Sequence, residues 1–270
     1  MSIGTERSAG AAPRTADLWL RTFRPAPQAA VRLICFPHAG GSASYYLATA
    51  RALAPGIEVV AVQYPGRQDR LAERRIEAMP ELAEAIFDAI GAVSGPIALF
   101  GHSMGATLAF EVAHRLEAAG RTPVCLIASG RRAPSRHRDT GLHLLDDDAL
   151  LADLRRLSGT GAGILADAEL MRLYLPVIRS DYRAIETCPP RADVKLRCPI
   201  VAIGGDRDPQ ASIDDVRAWA DHAGEGFSFR AFSGGHFFLD DHASAILDLI
   251  RAAVRPSVRP AGPEGSALGG

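Results

Sequence analysis

Gly101-His102-Ser103-Met104-Gly105 is the part of the sequence best suited to chemistry. This G-x-S-x-G run directly follows an apolar strand pattern, Pro96–Phe100, and directly precedes a helical pattern starting near Ala106. A serine on so sharp a turn needs small neighbours, which Gly101 and Gly105 supply, and it stands at a helix N-terminus whose partial positive charge favours a developing anion. A serine hydroxyl is a poor nucleophile near neutral pH. It needs a base to take its proton and a third group to orient that base. Both occur later in the chain, in the order serine, acid, histidine. Gly204-Gly205-Asp206-Arg207-Asp208-Pro209 follows one strand pattern, and Ser233-Gly234-Gly235-His236-Phe237-Phe238 follows the last.

Asp208 is the preferred acid, because it lies further along a turn that Pro209 stiffens. Asp206 is expected to make an Asx-type bond within that turn. No carboxylate follows the strand pattern Pro123–Ala128, where Ser129, Gly130 and Arg131 stand. His236 is the preferred base, since the two glycines before it permit close approach to the serine. His242, within the last helical pattern, is its rival. His114 and His222 fall in helical patterns and His137 in a basic loop, all expected at the surface. His102 is expected to point away from its neighbour Ser103. The oxyanion of an acyl-transfer reaction needs two donors, and the N–H groups of Met104 and of Ala39, in Pro37-His38-Ala39-Gly40-Gly41, are the candidates.

Other signals fail on context. Gly159-Thr160-Gly161-Ala162-Gly163 joins two helical patterns and follows no strand, so it reads as a flexible connection and not a phosphate loop. No metal-ligand spacing occurs, and neither a metal nor a cofactor is expected. Arg131, Arg132, Arg136 and Arg138 form a basic loop that could meet an acidic partner.

The elements that must position these residues alternate along the chain. Strand patterns at Val31–Phe36, Ile57–Val62, Pro96–Phe100, Pro123–Ala128, Pro199–Ile203 and Phe227–Phe232 are almost continuously apolar, as strands covered on both faces must be. Helical patterns lie at Met79–Val93, Ala106–Ala118, Ile213–His222 and Asp241–Val254. The alternation predicts an α/β fold with a mainly parallel central sheet and helices on both faces, and the G-x-S-x-G turn with its serine, acid, histidine order points to the α/β-hydrolase type within that class. Between Arg131 and Arg197 only helical patterns occur. Leu150, Leu151, Leu154 and Leu157 form one apolar stripe, and Leu170, Leu173, Tyr174, Val177, Ile178 and Tyr182 another, with Pro176 expected to kink the second helix. This segment, at about 131–197, is expected to be an inserted helical lid over the carboxyl edge of the sheet, where open α/β sheets bind ligands.

Composition bounds the partners. Of 270 residues, 30 are Lys or Arg and 31 Asp or Glu, a net charge of −1, so no excess field exists to hold nucleic acid or a membrane surface. Cys35, Cys125, Cys188 and Cys198 lack ligand spacing and read as reduced thiols of a cytoplasmic protein. Residues 1–16 are expected to be a flexible segment without a secretory signal, 17–255 one domain, and 256–270 a disordered tail. A monomer is the default expectation.

Five motifs in order, Phe36-Pro37-His38-Ala39-Gly40-Gly41, Gln63-Tyr64-Pro65-Gly66-Arg67, the Ser103 run, Ser129-Gly130-Arg131-Arg132-Ala133-Pro134 and Gly234-Gly235-His236-Phe237-Phe238, resemble the stand-alone type II thioesterases of polyketide and nonribosomal peptide pathways. The resemblance runs from about Leu18 to Val254. It implies hydrolysis of thioesters that tether acyl groups to the phosphopantetheine arm of acyl or peptidyl carrier proteins, removing aberrant or stalled units. Ser103 would attack, His236 would relay the proton, Asp208 would orient it, and Ala39 and Met104 would hold the oxyanion. Tyr64–Arg67 could border the entrance or form a structural turn. A chain-terminating type I thioesterase, a general carboxylesterase and a silent hydrolase-fold binding protein stay open as alternatives.

Overall fold

The computed structural model describes residues 15–136, 138, 140–158 and 168–255. Residues 1–14 of the expected N-terminal segment, His137, the glycine run at 159–163 and the expected tail at 256–270 lie outside the described residues.

Among the described residues seven strands form one sheet: β1 (Leu20–Arg21), β2 (Val31–Phe36), β3 (Ile57–Val62), β4 (Ile97–His102), β5 (Leu126–Ser129), β6 (Ile200–Gly205) and β7 (Phe227–Phe232), in the spatial order β1-β3-β2-β4-β5-β6-β7. All pairings are parallel except that of β1, which lies antiparallel to β3. At two residues β1 is too short to leave a pattern in the sequence. The helix before it, α1 (Thr15–Trp19), begins two residues inside the segment expected to be flexible.

Because successive side chains on a strand point to opposite faces, each central strand feeds two cores. Ile34, Phe36, Val60, Val62, Leu99, Leu126 and Ala128 pack under α3 (Met79–Ile90) and α4 (Met104–Ala118). Leu33, Cys35, Val59, Ala61, Ala98, Phe100 and Ile127 pack under α2 (Leu47–Leu53) and the last helix, α9 (Ala243–Ala253). Pro80 occupies the first turn of α3, where its missing N–H costs no helical bond. The expected last helix, Asp241–Val254, is α9, preceded by a short helix α8 (Phe238–Asp241), and the expected Ile213–His222 helix is α7 (Ile213–Arg217) continued as a 3₁₀ turn.

The insertion holds α5 (Asp147–Ser158) and α6 (Ala168–Glu186), with Pro176 inside α6. These helices share a small core of their own, Leu150, Leu151, Met171, Leu175 and Ile178. Further along α6, Ala184 and Ile185 belong to the main core, so α6 bridges the insertion and the sheet domain.

Strand β6 enters the sheet through a buried carboxylate. Glu117, on α4, accepts the backbone N–H groups of Arg197 and Cys198, each at 2.8 Å. Removing it leaves two N–H groups without acceptors just before the strand that leads into the loop of Asp208. Glu117→Ala is expected to lower stability by about 3 kcal/mol in urea denaturation, with little change in the folded far-UV spectrum; a loss under about 1 kcal/mol would show that water replaces the carboxylate.

Candidate active site

Ser103 connects β4 to α4 with φ 55° and ψ −120°, a conformation that non-glycine residues rarely adopt. Its N–H donates to the Ser129 carbonyl at 2.8 Å and its own carbonyl accepts from Ala106 at 3.0 Å. The flanking glycines are required by contact. A Cβ on Gly105 would lie 2.0 Å from the Phe36 carbonyl oxygen, and one on Gly101 would lie 2.1 Å from that of Gly105. The helix begins at Met104, earlier than the expected Ala106, so Met104 supplies one of the N–H groups that have no partner inside the helix.

Asp208 and His236 stand on the loops after β6 and β7, at the same carboxyl edge of the sheet. His236 Nδ1 and Asp208 Oδ2 are 2.8 Å apart, and both residues are buried. This bond leaves Nε2 as the ring nitrogen available for proton transfer. Asp208 bonds to the histidine as expected, but the Asx-type bond expected of Asp206 is made by Asp208 as well. Asp208 makes the Asx-type bond, accepting from Gln210 N–H at 2.8 Å, whereas Asp206 reaches across to accept from Gly234 N–H at 2.8 Å. Asp206 thereby ties the loop of the acid to the loop of the histidine.

His242, His102 and His222 have separate partners. His242 Nε2 bonds to Ser233. His102 is fully buried, with Nδ1 3.0 Å from Ser129 Oγ. His222, expected at the surface, is fully buried: Nδ1 donates to the Val194 carbonyl at 2.7 Å while Nε2 accepts from Ser135 N–H at 3.2 Å. A short 3₁₀ turn that points its polar residue inward lacks the amphipathic spacing by which a buried position is read.

The loop from Phe36 to Gly41 is held on several sides. The hydroxyls of Tyr46 and Tyr64 donate to the carbonyls of Phe36 (2.8 Å) and Pro37 (3.0 Å), and Arg67 Nε donates to that of Gly41 (2.9 Å). The Gln63–Arg67 motif is therefore a buried brace for this loop, and Arg67 also reaches the cavity wall. Ala39 lines that cavity together with Ser103 and His236.

The cavity encloses about 530 Å³. Leu154, Leu157, Met171, Ile178 and Ile185 of α5 and α6 give it an apolar wall. The basic loop does not form a single exposed patch. Arg132 is 5% exposed and bonds the Gln210 carbonyl, Arg131 Nε donates to Thr107 Oγ1 at 3.1 Å, and both line the cavity; Arg138 is exposed at the rim of the same cavity, and Arg136 is exposed away from it. Burial pushes the Arg131 guanidinium down to about 10. One residue of this neighbourhood was not singled out from the sequence. Asp181 of α6 is 2% exposed, and its signal was a carboxylate set among the apolar positions Val177, Ile178 and Tyr182.

The model of the thioesterase domain family matches residues 31–254. The chain belongs to that thioesterase family. Thioesterase PikA5 of Streptomyces venezuelae is 52% identical over 227 residues, 83% of this chain and 81% of its relative. The solved type II thioesterase BorB, from the borrelidin biosynthetic cluster, is 52% identical and superimposes with a TM-score of 0.85 over 88% of this chain and 98% of BorB. RedJ, from the prodiginine pathway of Streptomyces coelicolor, is 36% identical with a TM-score of 0.79 over 92% and 91% of the two chains. The type II resemblance read from the five motifs holds, and the fold is that of the α/β-hydrolases.

Two histidines beside the thioesterase's candidate site, His38 and His102, are held neutral. Burial first, then the nearby charges of His236 and Arg67, lower His38 from its ordinary 6.5 to about 4, and burial lowers His102 well below the usual range. The folded state thus disfavours the charged rings, and unfolding takes up protons below pH about 6.5. Stability is full above that pH and is lost as pH falls towards about 4. His38→Gln is expected to flatten part of this fall in denaturant titrations between pH 7 and pH 4.5. An unchanged slope would mean that His38 titrates alike in both states.

Proposed function

We propose that this thioesterase releases acyl groups from the phosphopantetheine arm of carrier proteins in polyketide or nonribosomal peptide assembly, clearing aberrant or stalled units, and that Ser103, His236 and Asp208 carry the reaction. The observation that supports the site most directly is the 2.8 Å bond between Asp208 and His236 Nδ1, beside a cavity that both His236 and the strained Ser103 line.

In this reading His236 Nε2 takes the Ser103 proton as Oγ attacks the thioester carbonyl. The N–H groups of Ala39 and Met104 hold the oxygen as it gains charge. Collapse breaks the carbon–sulfur bond, and the imidazolium returns its proton to the leaving thiol. Asp208 stabilises that imidazolium and fixes its orientation. Water then attacks the acyl-enzyme with His236 again as base, and a carboxylic acid and regenerated Ser103 result. The apolar wall from α5 and α6 would take the acyl chain, with the two helices acting as the expected lid. A general carboxylesterase would need the same residues, so preference for carrier-bound thioesters over simple esters separates the two readings.

Ser103→Ala is expected to lower turnover of an acyl-loaded carrier by about 10⁴-fold or more and to abolish fluorophosphonate labelling. Asp208→Asn is expected to lower it by about 10⁴-fold and Asp206→Asn by less than about tenfold, because only Asp208 contacts the base. Labelling that persists in Ser103→Ala, or a larger loss from Asp206→Asn than from Asp208→Asn, would reject the assignment.

Carrier proteins present an acidic partner to the exposed arginines of the loop after β5. Reversing the charge of Arg136, which is exposed and does not line the cavity, is expected to weaken turnover of carrier-bound substrate several-fold while leaving that of a small acyl-thioester unchanged. Equal effects on both substrates would place recognition elsewhere. Arg131 and Arg132 are unsuited to such contact because their guanidinium groups are turned inward.

A further inference from the structure

A carboxylate of the inserted helix α6 is bonded directly to the loop that holds Ala39. Asp181 Oδ2 accepts the Gly40 N–H at 2.7 Å and is also bonded by the Arg67 guanidinium, whose Nε donates to the Gly41 carbonyl at 2.9 Å. Arg67 and Asp181 are 3% and 2% exposed. One turn earlier on α6, Ile178 packs on the same glycine so closely that a Cβ on Gly40 would lie 2.8 Å from its Cγ1. Gly40 itself has φ +74°, a conformation open to glycine and strained for other residues.

We propose that Asp181 is a positioning residue for the oxyanion hole: by accepting the Gly40 N–H, α6 fixes the peptide next to Ala39 and so aims the Ala39 N–H at the developing charge. The proposal rests on the reading of Ala39 as an oxyanion donor. The loop turns through a left-handed glycine, a conformation with alternatives of similar energy, so it needs a partner that selects one. The tyrosine and arginine braces fix its carbonyls, at Phe36, Pro37 and Gly41. Asp181 holds an N–H between them. That acceptor comes from the helix that also walls the acyl cavity through Met171 and Ile178. The same helix is anchored in the main core by Ala184 and Ile185. Oxyanion stabilisation is therefore complete only when α6 lies against the loop. Displacement of the helix removes a catalytic donor's support as well as opening the chamber.

A buried ion pair replaced by apolar residues of similar volume often costs little stability, which allows the hydrogen bond to be tested apart from folding. In the full chain, Arg67→Met with Asp181→Leu removes the acceptor, and Arg67→Met with Asp181→Asn retains one without charge. With propionyl-N-acetylcysteamine as substrate, the Leu double variant is expected to lose about 10²–10³ in kcat with KM near that of the parent. The Asn double variant is expected to recover at least about tenfold of that loss. Inhibition by an alkylboronic acid, whose tetrahedral adduct uses the oxyanion donors, should weaken in parallel with kcat/KM, a change that a merely structural role would not produce.

Equal kcat in the two double variants, or parental kcat in the Leu double variant, overturns the proposal. Should either fail to fold, Asp181→Asn against Asp181→Ala carries the same comparison with the same two outcomes. A parent enzyme that fluorophosphonate does not label at Ser103 would reject the site itself. Equal variants of a labelled, active parent reject only the role of Asp181.

Discussion

Close contact at the strand-to-helix turn is the constraint on which the remainder of this thioesterase depends. Ser103 is held at φ 55° because β4 runs straight into α4 with no room for a gentler connection. That proximity exists because neither glycine beside it has a side chain: at 2.0 Å and 2.1 Å, the contacts a Cβ would make at Gly105 and Gly101 are physically impossible without separating helix from strand. The strain is supported from below by the sheet, where Gly101 pairs with Phe36 on one side and Ala128 on the other. A nucleophile exposed on such a turn gains reach, and the helix start behind it gains an anion-binding N–H.

Parallel topology then gathers the other groups. Since β2, β4, β5, β6 and β7 all run the same way, the segments leaving them emerge at one edge. Asp208 and His236, 28 residues apart, meet there at 2.8 Å. Their loops are tied together a second time by Asp206 and Gly234. Each carboxylate of the turn after β6 thus has a distinct task, one toward the base and one toward the loop that carries it.

The edge is closed by the insertion, and α6 belongs to both sides of the boundary. Met171, Leu175 and Ile178 pack with α5, while Ala184 and Ile185 are part of the main core. Asp181 falls between these two sets and bonds to the loop after β2. The helix that gives the cavity its apolar wall is therefore also hydrogen-bonded to the loop that carries Ala39. The neutral environment of His38 and His102 adds to this arrangement, since a charge on either ring would sit uncompensated beside His236.

The candidate site residues were legible in the sequence because their signals are local. Gly101–Gly105 names its own turn through spacing, and the glycine-rich approach to His236 and the two aspartates after β6 follow strand patterns strong enough to be read from apolar runs alone. Those runs also determined the parallel α/β architecture, and the five motifs the family. Tertiary structure decided the rest, because it depends on contacts between distant segments. Which aspartate bonds to the histidine, the inward turn of Arg131 and Arg132, and the burial of His222 all follow from packing partners far away in sequence. So does the link from Asp181 to Gly40, across 141 residues. A side chain's type and local period determine the element it occupies; the direction in which its polar atoms find partners is set only when the elements dock, since burial then forbids leaving any of them unpaired.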